Sequence, residues 1–261
     1  MVLKPIQPDL KEFPGIFHPL LRMGPVFDSS CSPEARVWYL DCRGGLFLKR
    51  APAGTLAAEA QMTAYFHSRG LSAEVLSYHS GEEDWLLTRK ISGYDCTHSR
   101  YLAEPERLCE ILARQLRQLH DLPPLRCPVT DRTRTWTENA RRGYAAGHFE
   151  ADLFAGMWDF ASPEEAWQAG QEVLPCLKAD TLLHGDYCLP NILLDNWKFS
   201  GFIDLGAAGV GDRHIDLLWG IWTLRFNLGT NAYSQRFLDA YGRDKAQPEL
   251  LRGMAALEAF G

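Results

Sequence analysis

The stretch from Leu182 to Gly206 reads LLHGDYCLPNILLDNWKFSGFIDLG. It holds His184-Gly185-Asp186, then Asn191 five residues after that aspartate, then Asp204 within Phe202-Ile203-Asp204-Leu205-Gly206. Two carboxylates and an amide, set between apolar runs, suit one chemical task. They could hold Mg²⁺ on a nucleoside triphosphate while an acceptor hydroxyl is activated. A chain built for that task must also supply a clamp for the phosphates and a scaffold that delivers these side chains.

The order and the five-residue gap are similar to those of protein kinases, in which a catalytic Asp precedes a metal-binding Asn and a later D-x-G turn. Gly185 stands where a protein kinase has Arg, and Leu205 where it has Phe. Residues 35–42 and 45–49 are β-rich runs joined at Arg43-Gly44, which predicts a hairpin ending in Lys49. Thr55 reads as the N-cap of the next segment, with Glu59 in its first turn and Gly70 closing it. A strand lysine held by a helix glutamate is the kinase arrangement for gripping α/β-phosphates. Taken singly, Lys49 could be a solvated strand end and Glu59 a helix-dipole residue. The polar turn from Phe27 to Pro33 lies where a kinase closes a glycine-rich loop over the phosphates. It carries serines, and Ser32 is the contact candidate; an exposed turn is the other reading. Val75–His79 and Trp85–Arg89 flank a second hairpin turn, and Thr88–Gly93 would link two lobes with its backbone toward the adenine.

From Gly93 onward the pattern turns helical. Pro105 starts a helix with the stripe Leu108, Ile111, Leu112, Leu116 and Leu119. His120 at its end reads as a structural hydrogen-bonder. A second helix is expected over about Thr135 to Ala146. Ser162-Pro163-Glu164-Glu165 is a capping box opening a helix to about Lys178. Thr181–His184, Ile192–Asp195 and Trp197–Asp204 read as short strands. Asp216 opens an apolar helix and is expected to brace the catalytic loop. Two helices, near Ser234–Tyr241 and Glu249–Phe260, close the chain.

With 261 residues the chain can bury a large core in one domain or two lobes, and its formal net charge of −6, without any Lys/Arg block, argues against a nucleic-acid partner. Its seven scattered cysteines form no C-x-x-C pair and fit reduced thiols. The Pro- and charge-bearing N-terminus is unlike a signal peptide, and no apolar run is long enough to span a bilayer. A cytoplasmic protein without a membrane partner is the expectation.

The motif block HGDYCLPNILLDNWKFSGFIDLG, the following GVGDRHID, and Lys49 with Glu59 resemble the aminoglycoside phosphotransferase family, and most its 3′-phosphotransferase branch. The resemblance implies an α+β, bilobal protein-kinase-like fold. Its small β-rich N-lobe with one helix would span residues 1–92, and its larger, mainly helical C-lobe residues 93–261. It implies ATP (or GTP) and Mg²⁺ as cofactors and a small hydroxylated, cationic acceptor. Carried over by position, Asp186 would be the base or orienting group for the acceptor hydroxyl. Asn191 and Asp204 would hold Mg²⁺, Lys49 would grip the phosphates under the control of Glu59, and His184 would brace the loop.

The antibiotic pocket of the family is a cage of carboxylates joined by an Arg after the D-x-G turn. This chain has Ala207 there, Phe226-Asn227 where the family has an acidic pair, and Glu258-Ala259-Phe260 near its end. Asp159, Asn227 and Glu258 are the candidate substrate residues, with Glu150 and Asp152 in the same variable acidic segment; a solvated surface is the other reading of those loop acids. Fewer carboxylates for a polycation leave a second acceptor class open: a macrolide, a sugar or an amino alcohol. A nucleotide-binding pseudokinase is the third reading, and retention of Asp186 argues against it.

Overall fold

Aromatic and β-branched residues dominate the early runs of the chain, and these become strands. The computed structural model describes residues 3–31 and 33–261. Its first elements are β1 (Lys4–Ile6), the short helix α1 (His18–Leu21), β2 (Val26–Asp28), β3 (Arg36–Leu40) and β4 (Leu46–Pro52). Helix α2 (Ala57–His67), β5 (Val75–Ser80), β6 (Glu83–Arg89) and β7 (Tyr94–Asp95) follow. Strands β1 to β6 make one antiparallel sheet in the order β1-β2-β3-β4-β6-β5. The β3–β4 hairpin turns where expected, with Arg43 and Gly44 both at positive φ.

Leu46 and Leu48 of β4 are buried with Trp38, Leu40, Trp85 and Leu87 on one face of this sheet. The two-residue period of a strand therefore turns Lys49 to the other face.

Thr55 does not cap α2. Its hydroxyl donates to the Pro52 carbonyl at 2.7 Å, and the Leu56 N–H is accepted at 2.9 Å by Asp84 Oδ2, from the start of β6. Asp84 is fully buried and also accepts from Tyr78 Oη and Ser80 Oγ. A buried carboxylate is a stronger acceptor than a local hydroxyl, so the long-range partner takes the helix end.

The next elements are α3 (Ser99–Leu102), α4 (Pro105–His120), α5 (Arg132–Ala146), α6 (Pro163–Val173) and β8 (Thr181–Leu183). Helix α5 begins earlier than expected because Asp131 caps it, accepting from the Arg134 N–H at 2.9 Å. Ser162 Oγ caps α6 through the Glu165 N–H at 3.2 Å, while the Glu165 carboxylate reaches past the cap to the Ala161 N–H. The helix stops at Val173, short of Lys178, where Pro175 enters a 3₁₀ turn. The chain continues through β9 (Ile192–Asp195), β10 (Lys198–Phe202), β11 (Gly209–Gly211), α7 (His214–Leu228), α8 (Ser234–Tyr241) and α9 (Pro248–Glu258).

By packing, the chain divides into two units. One runs to Asp95 and includes Ile192–Gly206; the other is Cys96–Asn191 with Ala207–Gly261. A division by sequence near Ser92 leaves Ile192–Gly206 with the later residues. In the structure, β9 pairs with both β10 and β7, and the Phe202 N–H donates to the Leu71 carbonyl at 2.8 Å. Those backbone bonds tie the segment to the first unit. In the second unit β8 pairs with β11, and α6 packs on α9 around Ala166, Ala169, Val173, Leu257 and Phe260. Among the described residues no helix is long and apolar enough to cross a membrane, and no disulfide joins any of the seven cysteines.

Candidate active site

In the first unit, Lys49 Nζ donates to Glu59 Oε2 at 2.7 Å and to Asp204 Oδ1 at 2.8 Å. The strand period aims Lys49 at α2, where Glu59 is buried, and the turn after β10 brings Asp204 to the same ammonium. Burial disfavours the Lys49 charge, but Glu59 and Asp204 outweigh it and hold its pKa above the ordinary lysine value. Burial raises the Glu59 pKa; Lys49 opposes that and Asp204 adds to it. Asp204 has a φ of 59°, a left-handed conformation that costs a non-glycine residue about 1–3 kcal/mol. Its side chain is 52% exposed, so the strained turn holds out a carboxylate that Lys49 engages.

The second unit holds Asp186 and Asn191. Asn191 Nδ2 donates to Asp186 Oδ2 at 2.7 Å and to its backbone carbonyl at 3.1 Å. The Asp186 N–H donates to His184 Nδ1 at 3.3 Å, the bracing expected of His184. Asp216, fully buried near the start of α7, accepts from the Gly185 N–H at 2.7 Å and the His184 N–H at 2.8 Å. Its Oδ2 also faces His120 Nε2 at 3.1 Å, and His120 Nδ1 faces Tyr241 Oη at 2.8 Å. Burial lowers the His120 pKa, so the ring is neutral and serves as the structural hydrogen-bonder the sequence suggests. Gly185 is required here on two counts: its φ is 84°, and a Cβ would sit 2.0 Å from the Ala207 carbonyl oxygen.

The oxygens each unit presents suit a hard divalent cation. In the second unit Asn191 Nδ2 is turned to Asp186, which leaves its Oδ1 for a metal; in the first unit Asp204 presents an exposed carboxylate. Mg²⁺ is commonly held by one or two protein oxygens, completed by substrate phosphates and water. Among the described residues no group of three or more His, Cys, Asp or Glu side chains is arranged to hold a metal by itself.

Three candidate substrate residues are engaged within the second unit. Asp159 is exposed and accepts from the Gly156 N–H at 2.7 Å, bracing its own loop. Asn227 turns back along α7, donating to the Thr223 carbonyl and Oγ1 at 2.8 and 3.2 Å. Glu258 accepts from Trp136 Nε1. Burial pushes the Glu258 carboxyl up to about 7; the Trp136 N–H pulls the other way, and the charges of Asp186 and Glu150 add to the rise. Ser32, the contact candidate in the turn after β2, lies outside the described residues. Nearby Ser29 carries a buried hydroxyl without a partner among the described residues, a position that the choice of Ser32 passed over. Thr223 and Trp136 were also missed; each looks like ordinary helix content, and only the fold shows their partners.

The chain matches the model of the phosphotransferase enzyme family over residues 29–258. It is 44% identical over 260 residues, 99% of both chains, to a probable aminoglycoside 3'-phosphotransferase of Lactococcus lactis subsp. lactis (strain IL1403). An aminoglycoside 3'-phosphotransferase of Niallia circulans is 31% identical over 218 residues, 82% of this chain and 83% of that one. The crystal structure of an aminoglycoside-3'-phosphotransferase of type VIII superposes with a TM-score of 0.69 at 27% identity, covering 89% of this chain and 92% of the other. That agreement carries the kinase-like α+β architecture expected from the motif block. From Ser29 to Glu258, the chain belongs to the phosphotransferase enzyme family.

Proposed function

We propose that this protein is an aminoglycoside O-phosphotransferase, moving the γ-phosphoryl group of ATP or GTP to a hydroxyl of the antibiotic. The observation that carries the reading is the Lys49 ammonium held between Glu59 and Asp204 at 2.7 and 2.8 Å. Such a cation, desolvated and fixed in place, is suited to receive phosphate oxygens, and Glu59 keeps it oriented when Asp204 turns to a metal. Mg²⁺, when bound, neutralises charge on the transferring phosphate oxygens. Asp186 accepts the hydroxyl proton or orients the hydroxyl, its carboxylate fixed by Asn191. Positioning and electrostatics supply most of the rate in phosphoryl transfer, so the hydrogen-bonded loop matters more than an unusual pKa. The activity named for the relatives of this chain supports the acceptor class, and the modification would confer resistance.

A second acceptor class, a hydroxylated compound carrying fewer charges, is favoured by one observation. Asp159 and Asn227 each make a hydrogen bond within their own loop and helix, and burial raises the Glu258 carboxyl to about 7.

ADP release by the purified protein with Mg²⁺ and ATP or GTP, across aminoglycosides, macrolides and small alcohols, separates the two. Turnover of aminoglycosides is expected. Silence on all of them with turnover of another class would give the acceptor to the second reading. Replacing Asp186 by Ala is expected to cut turnover by roughly 10²–10⁴. Asp204→Ala is expected to abolish Mg²⁺-dependent ATP use, and normal activity in that variant would move the metal elsewhere.

A further inference from the structure

Helix α7 carries an aromatic side chain that the packing of the second unit does not account for. Phe226 is 71% exposed, and its ring lies nearly parallel to that of Trp222, with centroids 4.9 Å apart and an interplanar angle of 16°. A single exposed apolar residue is ordinary on a protein surface. This ring, however, rests on a fixed support. Trp222 meets Trp219 edge-on at 5.3 Å, and its Nε1–H donates to the Leu153 carbonyl at 2.8 Å. One face of the Phe226 ring is held against Trp222, and the other is open. The helix also fixes where that open face lies. Thr223 Oγ1 accepts at 3.1 Å from the N–H of Leu189, which follows Asp186 in the same loop, so the Thr223 side of α7 adjoins that loop. The Trp222 side adjoins the segment that carries Leu153. At roughly 100° per residue, Phe226 lies between the two, about 40° from Trp222 and about 60° from Thr223 around the helix.

We propose that Phe226, stacked on Trp222, is a specificity-determining platform that receives an ammonium-bearing sugar ring of the acceptor. The C–H face of such a ring covers the aromatic face, and its ammonium is drawn to the negative π-face, an attraction that needs no carboxylate. A platform already fixed by Trp222 loses little freedom when the ring docks. The proposal rests on the reading of the protein as an aminoglycoside phosphotransferase that uses Asp186.

Steady-state kinetics on the full chain, with kanamycin as acceptor and ATP and Mg²⁺ supplied, test it in Phe226→Ala, Phe226→Leu and Phe226→Tyr. Phe226→Ala is expected to raise the KM for kanamycin about three- to tenfold, the worth of one ring contact, with the KM for ATP unchanged. Phe226→Leu still covers Trp222 but has no π-face, and should show most of the same rise. Phe226→Tyr keeps the face and should stay within about twofold of the parent. A parental KM for kanamycin in Phe226→Ala overturns the proposal. So does a parental KM in Phe226→Leu, which reduces the contact to apolar cover, or a rise in Phe226→Tyr equal to that in Phe226→Ala. An equal rise in the KM values for kanamycin and ATP overturns it too, since that marks a general disturbance of the second unit. If the parent releases no ADP with kanamycin or any other aminoglycoside, the functional reading fails and the proposal with it. An active parent beside an indifferent Phe226 overturns only the proposal.

Discussion

Asp216 is the residue on which the shape of the Asp186 loop depends most heavily. Its two oxygens receive the backbone N–H groups of His184 and Gly185 and face the neutral His120 ring, and no part of it reaches solvent. Asp216→Ala leaves three buried donors without an acceptor. At about 1–3 kcal/mol for each unsatisfied group, with some relief from relaxation, the expected loss is about 3–5 kcal/mol. Asp216→Asn keeps one acceptor oxygen but points an NH₂ at a backbone N–H, for an expected loss of about 2–3 kcal/mol. Urea unfolding followed by far-UV circular dichroism reads this well, because most of the helix lies in the second unit. With a slope near 2 kcal/mol per molar urea, the midpoint should fall by about 1.5–2.5 M in the alanine variant. Turnover should fall in both variants below their unfolding range, since the Gly185 and His184 N–H groups set the direction of Asp186. A midpoint shift under about 0.3 M together with parental kcat would falsify the assignment of Asp216 as the brace.

Gly185→Ala is expected to cost at least about 2 kcal/mol, because it combines a positive φ with a Cβ placed against the Ala207 carbonyl; a parental melting temperature would show that the loop shifts freely. Glu258 makes stability depend on pH with a defined sign. Its folded pKa of about 7 lies above the ordinary 4.5, so its contribution is full below about pH 4.5 and is lost as pH rises toward 7, by at most about 3 kcal/mol. Glu258→Gln should flatten that slope in urea midpoints measured from pH 4.5 to 8, and an unchanged slope would assign it to other groups. Asp84→Ala should weaken the first unit by about 2–4 kcal/mol and speed hydrogen exchange at the start of α2, since the Leu56 N–H, Tyr78 and Ser80 all lose their acceptor. Unchanged exchange at the Leu56 amide would return the cap to Thr55.

Much of the candidate site is visible in the sequence because it is written in short-range patterns. The gap between Asp186 and Asn191 fits one tight loop, and the structure joins the two at 2.7 Å. Lys49 reads from the sequence as a strand residue, and the structure places it mid-strand in β4; Glu59 in the first turn of the next helix is likewise a local feature, and the two meet at 2.7 Å. The hairpins at 43–44 and around Gly81 follow from turn chemistry, which needs only neighbouring residues.

Tertiary structure decided where buried polar groups find partners. Thr55 is a reasonable cap by its position, yet Asp84, far along the chain, takes the helix end because its buried charge requires donors. Asn227 reads from the sequence as a pocket residue, and only the fold shows that its amide bonds Thr223 on its own helix. The grouping of Ile192–Gly206 with the first unit depends on the pairing of β9 with β7, and no local pattern announces a strand partner so distant. Spacing along the chain determines which groups can share a loop or a face. Which donor meets which acceptor across the core follows only from the packed fold, because an unpaired buried group costs more than the preference of any local motif.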